Sequence, residues 1–402
     1  MSNYHPLTEV EAIEIAKTIP GIFDSEGELV SREIGDGNLN LVFHVGQPST
    51  GKSVIVKQAL PYAKVVGESW PLTLDRARIE SEALKIEGRL APGLVPEVYH
   101  TDNELALTVM EDLSNHVIMR QGLIEGGVYP KFANDISEFM ARTLFFTSDL
   151  GMNQQEKKLL VHSFANPELC KITEDLIFDH PYTDADTNSF DPHLKEQAEK
   201  LWADTELHLE VAILREKFLT HAQALLHGDL HTGSIFITPE STKVIDPEFA
   251  YFGPIGFDIG AVLANLLLHF ASQENWSADE ASRQTRRQYL VQSIREIWVS
   301  FERKFRALWN EHGTDRIAKT AGYQDDYMQR LLQDTVGFTG AKMVRRIVGL
   351  AHVADIDRIP DPIVREKAQR LALEIGKSLI KRNRQVTSIE QLINIADSAS
   401  KA

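Results

Sequence analysis

A chain of 402 residues is too long for one small module and, at roughly 150 residues per packing unit, reads as two or three. Hydrophobic residues at 43% and charged residues at 25% form a globular mixture, which excludes a disordered or low-complexity chain. The 42 basic and 58 acidic residues give a net charge of −16, which repels a nucleic-acid backbone, and no basic patch reverses it; a small anion in a cleft is not excluded.

The longest apolar stretch, residues 259–270, is interrupted by Asn265 and His269 and falls short of the roughly 20 residues that span a bilayer. The acidic, amphipathic start of the chain is unlike a secretory signal. The expectation is a cytoplasmic protein without a membrane or nucleic-acid partner. Cys170, the single cysteine, excludes an internal disulfide and a cysteine zinc site and reads as a passive thiol.

In chain order, Thr8-Glu9-Val10-Glu11 reads as a capping box that opens a helix to about Thr18, stopped by Pro20 and Gly21. Strands are predicted at 29–34, 40–45, 53–60, 96–101 and 105–110, enough for one antiparallel sheet, with a helix at 74–90 between the third and fourth. After Met110 the texture changes. Residues 111–115 are polar, and helical periodicity then dominates, with helices expected at 131–146, 194–220, 259–272, 278–312, 324–352 and 361–382 and two short strands at 234–237 and 243–245. The fold class is α+β in two lobes. Residues 1–112 form a small antiparallel-sheet lobe with an N-terminal helix and one main helix, and residues 113–402 form a larger, mostly helical lobe.

Gly46 to Ser53 satisfies the G-x-x-x-x-G-K-[ST] pattern of a phosphate-binding loop. That chemistry needs a helix immediately afterwards, whose amides hold the phosphates. Val54-Ile55-Val56-Lys57 is instead a β-branched run, so the segment reads as a hairpin and Lys52 as a solvated loop lysine. Gly35 and Gly37 lie in a turn between the first two strands, where positive φ or a backbone cover over nucleotide phosphates are both available readings. Lys57 in the third strand then suits an ammonium held on phosphates and oriented by a carboxylate from the following helix, Glu80 or Glu82.

The strongest signal is Leu226-His227-Gly228-Asp229-Leu230-His231-Thr232-Gly233-Ser234, followed by Val244-Ile245-Asp246-Pro247-Glu248-Phe249. Phosphoryl transfer needs one carboxylate to take the proton of the acceptor hydroxyl and another to hold the metal on the phosphates. Asp229 suits the first role and Asp246 the second. His227 reads as a scaffold for the loop, the role of His231 stays open, and no G-x-S-x-G elbow exists for a hydrolytic triad. Trp70 stands in a loop before the main helix, as a lid or as packing. Arg345 and Arg346 are about 100° apart on a helix, so at most one faces a given cleft.

Together these segments resemble the 5-methylthioribose kinase family, in the aminoglycoside phosphotransferase and choline kinase branch of the protein-kinase-like fold. The resemblance spans the chain and rests on residues 227–235, 246–250, the tryptophan loop 67–72 and the arginine segment 340–349. It implies ATP-dependent phosphorylation of the 1-hydroxyl of S-methyl-5-thioribose, with Mg²⁺, in methionine salvage, by a homodimer. By position, Gly35, Gly37, Asn40 and Lys57 would meet ATP, and Glu111, Asp112 and Leu113 would form the hinge at adenine. Asp229 would be the base, Asp246, Pro247 and Glu248 would carry Mg²⁺ on the nucleotide through the two carboxylates, and Trp70 together with Arg345 or Arg346 would meet the sugar. The chain departs from the branch where Ser234 replaces an asparagine five residues after the base and where Asp246-Pro247-Glu248 fills the D-F-G slot. Glu248 is expected to compensate for the lost asparagine. The competing readings are a kinase for an aminoglycoside, choline or homoserine, and a catalytically silent nucleotide-binding scaffold.

Overall fold

Thr8 begins the first helix, α1 (Glu9–Lys17), as the capping box requires: its hydroxyl accepts from the Glu11 amide at 3.3 Å and the Glu11 carboxylate accepts from the Thr8 amide at 2.9 Å. The computed structural model describes residues 4–24, 27–34, 40–63 and 67–401, with backbone alone for residues 63 and 67–70. Gly35 and Gly37 lie outside the described residues.

The sheet lobe contains β1 (Val30–Glu33), β2 (Asn40–Gln47), β3 (Lys52–Ala59), a small ribbon of β4 (Tyr62–Ala63) and β5 (Gly67–Pro71), the helix α2 (Asp75–Leu90), and then β6 (Val98–Asp102) and β7 (Leu107–Glu111). Five strands pair antiparallel in the order β1-β2-β3-β7-β6, each within two residues of its predicted ends. The period of two along β3 divides its side chains. Val54 and Val56 pack with Ala12 and Ala16 of α1, whereas Ile55 packs against the core of the helical lobe and Lys57 meets Glu80 of α2. The P-loop pattern folds as a tight turn between β2 and β3 with Gly51 at φ +71°; a strand follows it, and exposed Lys52 pairs with Asp24 at 3.4 Å. The tryptophan segment is strand β5, not the loop expected.

The remainder is mostly helical: β8 (Val117–Ile118), α3 (Met119–Ile124), α4 (Phe132–Phe146), α5 (Gln154–Ser163), α6 (Pro167–Phe178), α7 (Lys195–Ala203), α8 (Thr205–Thr220), short strands β9 (Ala224–Leu226), β10 (Ile235–Ile237), β11 (Thr242–Val244) and β12 (Tyr251–Gly253), then α9 (Gly256–Trp276), α10 (Glu280–His312), α11 (Tyr323–Arg345), α12 (Ala354–Asp357), α13 (Pro362–Arg382) and α14 (Ile389–Ala399). The apolar stretch is the buried central helix α9, packed by α10, α11 and α13. Among the described residues no helix is long and apolar enough to cross a membrane. Gly260 lets α11 approach α9 closely, since a Cβ there would stand 2.9 Å from Thr335 O and Thr339 N. That crossing brings the end of α11 to the functional loops.

Two expected helices differ. The 194–220 helix breaks at Asp204, whose carboxylate accepts from the Leu207 amide at 3.0 Å and restarts the chain as α8. The 324–352 helix ends at Arg345, and the Gly349 amide closes the turn on Arg345 O at 3.1 Å. The helices α3, α5, α6, α12 and α14 lie outside the segments that helical periodicity marks in the sequence.

Candidate active site

Lys57 joins the two lobes. Its Nζ lies 2.7 Å from Glu80 Oε1 and 2.5 Å from Asp246 Oδ1. Burial alone would discharge this ammonium, but Asp246, Glu80 and Glu248 raise its pKa well above the usual lysine value. Glu80, not Glu82, is the orienting carboxylate; Glu82 pairs with Lys85 at 3.0 Å on the outer side of α2. Burial together with Asp246 and Glu248 pushes the Glu80 carboxyl up to about 7 despite Lys57. Arg76, fully buried, donates to Asn40 Oδ1 and to Leu60 O, each at 3.0 Å, and stands 3.7 Å from Glu248. Asn40 thus gives its carboxamide oxygen to the joint between strand and helix. Arg76 escaped the sequence reading because an arginine near a helix start carries no pattern.

The loop after β9 and the segment after β11 are held as one unit. Asp258, at the start of α9, accepts from the His227 amide at 2.7 Å and the Gly228 amide at 3.1 Å. His227 Nδ1 accepts from the Asp229 amide at 3.3 Å, so its Nε2 carries the proton and donates to Ile245 O at 2.7 Å. Gly228 has φ +84°, and a Cβ there would fall 2.1 Å from Phe249 O. Ser234 donates from its hydroxyl to Asp229 O at 3.2 Å and accepts the Ile245 amide at 3.0 Å. His227 is the expected scaffold, and Ser234 serves the same purpose. Asp246 follows Ile245 directly, with left-handed φ 62° and ψ 49°, a conformation costing about 1–3 kcal/mol in a non-glycine residue. Such cost concentrates where a side chain must be aimed; the Asp246 carboxylate is 43% exposed while its partner Lys57 is buried.

Asp229 sits among cations. Its Oδ1 is 3.3 Å from Lys342 Nζ and 4.0 Å from Arg345 Nη2, and its Oδ2 is 3.4 Å from His231 Nε2. Burial would raise its pKa, but the charges of Lys342, Arg346 and Arg345, with the His231 ring at its other oxygen, hold it well below the usual carboxylate range. His231 is itself neutral at neutral pH, because burial and the charges of Arg120, Arg346 and Lys342 outweigh Asp229. The lasting positive charge beside Asp229 therefore comes from Lys342 and the two arginines. Arg345 and Arg346 are both buried and both act on Asp229, contrary to the expectation that at most one would face the site. The physical reason is that α11 ends at Arg345 and Arg346 lies in the turn beyond it, where its guanidinium donates to Ala351 O at 3.3 Å and His352 O at 3.4 Å. Arg120, from α3, donates to Asn265 at 3.0 Å and pairs with Asp355 at 3.3 Å. Lys342 was also missed, although its place one helical turn before the arginines was a readable signal.

The predicted hinge follows β7. The Glu111 carboxylate accepts from Lys243 at 2.9 Å and from the Glu97 amide at 3.2 Å. The Asp112 carboxylate accepts from Ser53 at 2.6 Å and contacts His44 at 3.1 Å. Both side chains hold the chain in place, and the Glu111 amide donates to Glu97 O at 2.8 Å. Leu113 is buried, and its carbonyl accepts from His116 at 2.8 Å. Trp70 lies on β5 with its side chain outside the described residues; the neighbouring Leu72 packs on Leu169 of α6.

A magnesium ion on nucleotide phosphates takes oxygen ligands, usually one or two carboxylates with waters. Asp246 and Glu248 fit that demand. Among the described residues Glu248 Oε2 is buried without a hydrogen bond, and the three carboxylates of Glu80, Asp246 and Glu248 outnumber the ammonium of Lys57 and the guanidinium of Arg76.

The model of the phosphotransferase enzyme family (APH) matches residues 30–293. A methylthioribose kinase of Geobacillus sp. (strain WCH70) is 52% identical over 389 residues, 97% of this chain and 95% of that protein. The methylthioribose kinase of Bacillus pumilus (strain SAFR-032) is 46% identical over 392 residues, 98% of this chain and 96% of that protein. Among solved structures, choline kinase from Cryptosporidium parvum Iowa II aligns over 96% of this chain and 97% of its own at 11% identity and a TM-score of 0.47, too distant to carry an argument. The extent of these sequence matches places the chain in the phosphotransferase enzyme family, among the methylthioribose kinases.

Proposed function

We propose that the chain transfers the γ-phosphoryl group of ATP to the 1-hydroxyl of S-methyl-5-thioribose, the kinase step of methionine salvage. The observation that carries the reading is the ammonium of Lys57 bridging Glu80 and Asp246, beside a loop that holds Asp229 ionised. The acceptor oxygen forms a bond to the γ-phosphorus as the bond to the ADP oxygen breaks, and the hydroxyl proton passes to Asp229. Lys57 holds the phosphates, the 111–113 backbone meets adenine, and Gly35, Gly37 and Asn40 complete the nucleotide side. Asp246 and Glu248, joined by Pro247, would hold Mg²⁺, whose charge neutralises the phosphate oxygens. Arg345, Arg346 and Trp70 meet the sugar.

In this reading residues 1–112 form the nucleotide lobe and 113–402 carry the catalytic loop, and the active form is a cytoplasmic homodimer. The buried cations around Asp229 disfavour cationic acceptors such as choline or an aminoglycoside. ADP release measured across a panel of alcohols tests the assignment: methylthioribose should be preferred, and a preference for choline, homoserine or an aminoglycoside would overturn it. Sedimentation of the purified chain tests the dimer.

A further inference from the structure

An ammonium is costly to bury unless it is paired. Lys342 is buried at the end of α11, where it makes one hydrogen bond among the described residues, to Asp229 Oδ1 at 3.3 Å, and lies 4.2 Å from the centre of the Phe257 ring. Asp258 of α9 adds negative charge, and Arg345 and Arg346 on its own segment add positive charge. Arg345 stands further from the same oxygen, at 4.0 Å, and the Arg346 guanidinium is engaged with backbone carbonyls. Lys342 is therefore the one side chain among the described residues that hydrogen-bonds Oδ1.

We propose that Lys342 is a positioning residue for phosphoryl transfer, which occupies Oδ1 of Asp229 and so leaves Oδ2 as the oxygen that receives the acceptor hydroxyl. This rests on the reading of Asp229 as the base. The terminal torsion of an aspartate is broad, so an unpinned carboxylate presents either oxygen over a wide range of angles. Pinning Oδ1 sets the carboxylate plane. His231 Nδ1 accepts from the Gly233 amide at 3.1 Å, so the imidazole carries its proton on Nε2, the atom facing Oδ2 at 3.4 Å. Oδ2 thus faces a neutral N–H while Oδ1 faces an ammonium, and the oxygen with the weaker positive neighbour is the one suited to accept a proton. The step balances: the acceptor O–H loses its proton to Oδ2, the P–O bond to the acceptor forms, and the P–O bond to ADP breaks.

Burial lowers the Lys342 pKa to about 8, against the pull of Asp229 and with Arg345 and Arg346 adding to the fall. The pin is consequently present at neutral pH and lost as pH rises through about 8. Steady-state kinetics of the full chain, as wild type, Lys342→Met and Lys342→Arg, from about pH 6 to about pH 10, test this, with ATP affinity and Tm measured alongside. Lys342→Met should lower kcat by about 10²-fold, since misplacing a reacting group costs that much, and should leave ATP affinity within about twofold. The alkaline limb of the wild-type kcat profile near pH 8 should vanish in Lys342→Met and move beyond about pH 10 in Lys342→Arg, which keeps its charge. A kcat and profile unchanged in Lys342→Met would overturn the proposal, as would a limb near pH 8 that persists in both variants, or a joint loss of Tm and ATP affinity without a change in profile. If Lys342→Met fails to fold, the limb in Lys342→Arg decides. A wild type that prefers another alcohol overturns the substrate assignment, and the Lys342 test then runs on that alcohol; absence of turnover with every alcohol overturns both.

Discussion

Lys57 Nζ and Asp246 Oδ1 lie 2.5 Å apart although 189 positions separate them, and this contact fastens β3 of the sheet lobe to the segment after β11. Lys57→Ala would leave Glu80, Asp246 and Glu248 facing one another without the ammonium. We expect kcat/KM to fall by about 10²–10³-fold, the cost of removing a donor that stabilises transferring charge. Lys52→Ala, on an exposed hairpin, should leave kinetics unchanged. Equal losses in the two variants would refute the assignment of Lys57.

Asp229→Ala should lower kcat by about 10² or more while ATP still binds, because the lost group acts on the acceptor. The Asp229 pKa is depressed in the folded chain, so its contribution to stability is fully present above the unfolded value of 3.8 and is lost as pH falls through the lower folded value. Asp229→Asn should therefore flatten the acid unfolding curve below pH 3.8 as well as slow turnover. Wild-type turnover in either variant would assign the proton to another acceptor.

Glu248→Ala tests whether the glutamate does the work of the asparagine that Ser234 replaces. The Ser234 hydroxyl lies between Asp229 O at 3.2 Å and His231 Nδ1 at 3.1 Å, and among the described residues Glu248 Oε2 is buried without a hydrogen bond. The magnesium concentration for half-maximal rate should rise by about tenfold or more, as loss of a metal-orienting group does. Intact magnesium dependence and kcat would eliminate the role.

Glu87, on the buried face of α2, is pushed well above the usual carboxylate pKa by burial, with Asp258 and Glu80 adding to the rise. The native state then holds a proton that the unfolded chain releases above pH 4.5, so stability falls as pH rises from 4.5 toward the folded value. Glu87→Gln keeps the shape without the ionisation. Thermal unfolding measured at acid and neutral pH should show the variant gaining on the wild type as pH rises; a parallel pair of curves would contradict this.

Much of the sheet lobe was legible because its strands alternate and its punctuation is local. Thr8 and Glu11 announce a helix start within four residues, and Val54 and Val56 announce which face of β3 is buried. The same reasoning rejected the P-loop pattern at Gly46 to Ser53, since β-branched residues follow where a helix must begin. The broken helix at Asp204 and the stop at Arg345 were less legible, because helical periodicity runs through both and only cap geometry ends them.

Sequence alone determined the kind of lobes, the two acidic loops and the strand lysine, because residue type, spacing and periodicity are local properties of a chain. Tertiary structure decided the partners. Glu80 over Glu82, both arginines rather than one, Lys342 on Asp229 and Arg76 on Asn40 all depend on which side chains different helices and strands deliver to one buried place. Charge there is settled by burial and by neighbours from distant segments, and neither exists until the helices have crossed.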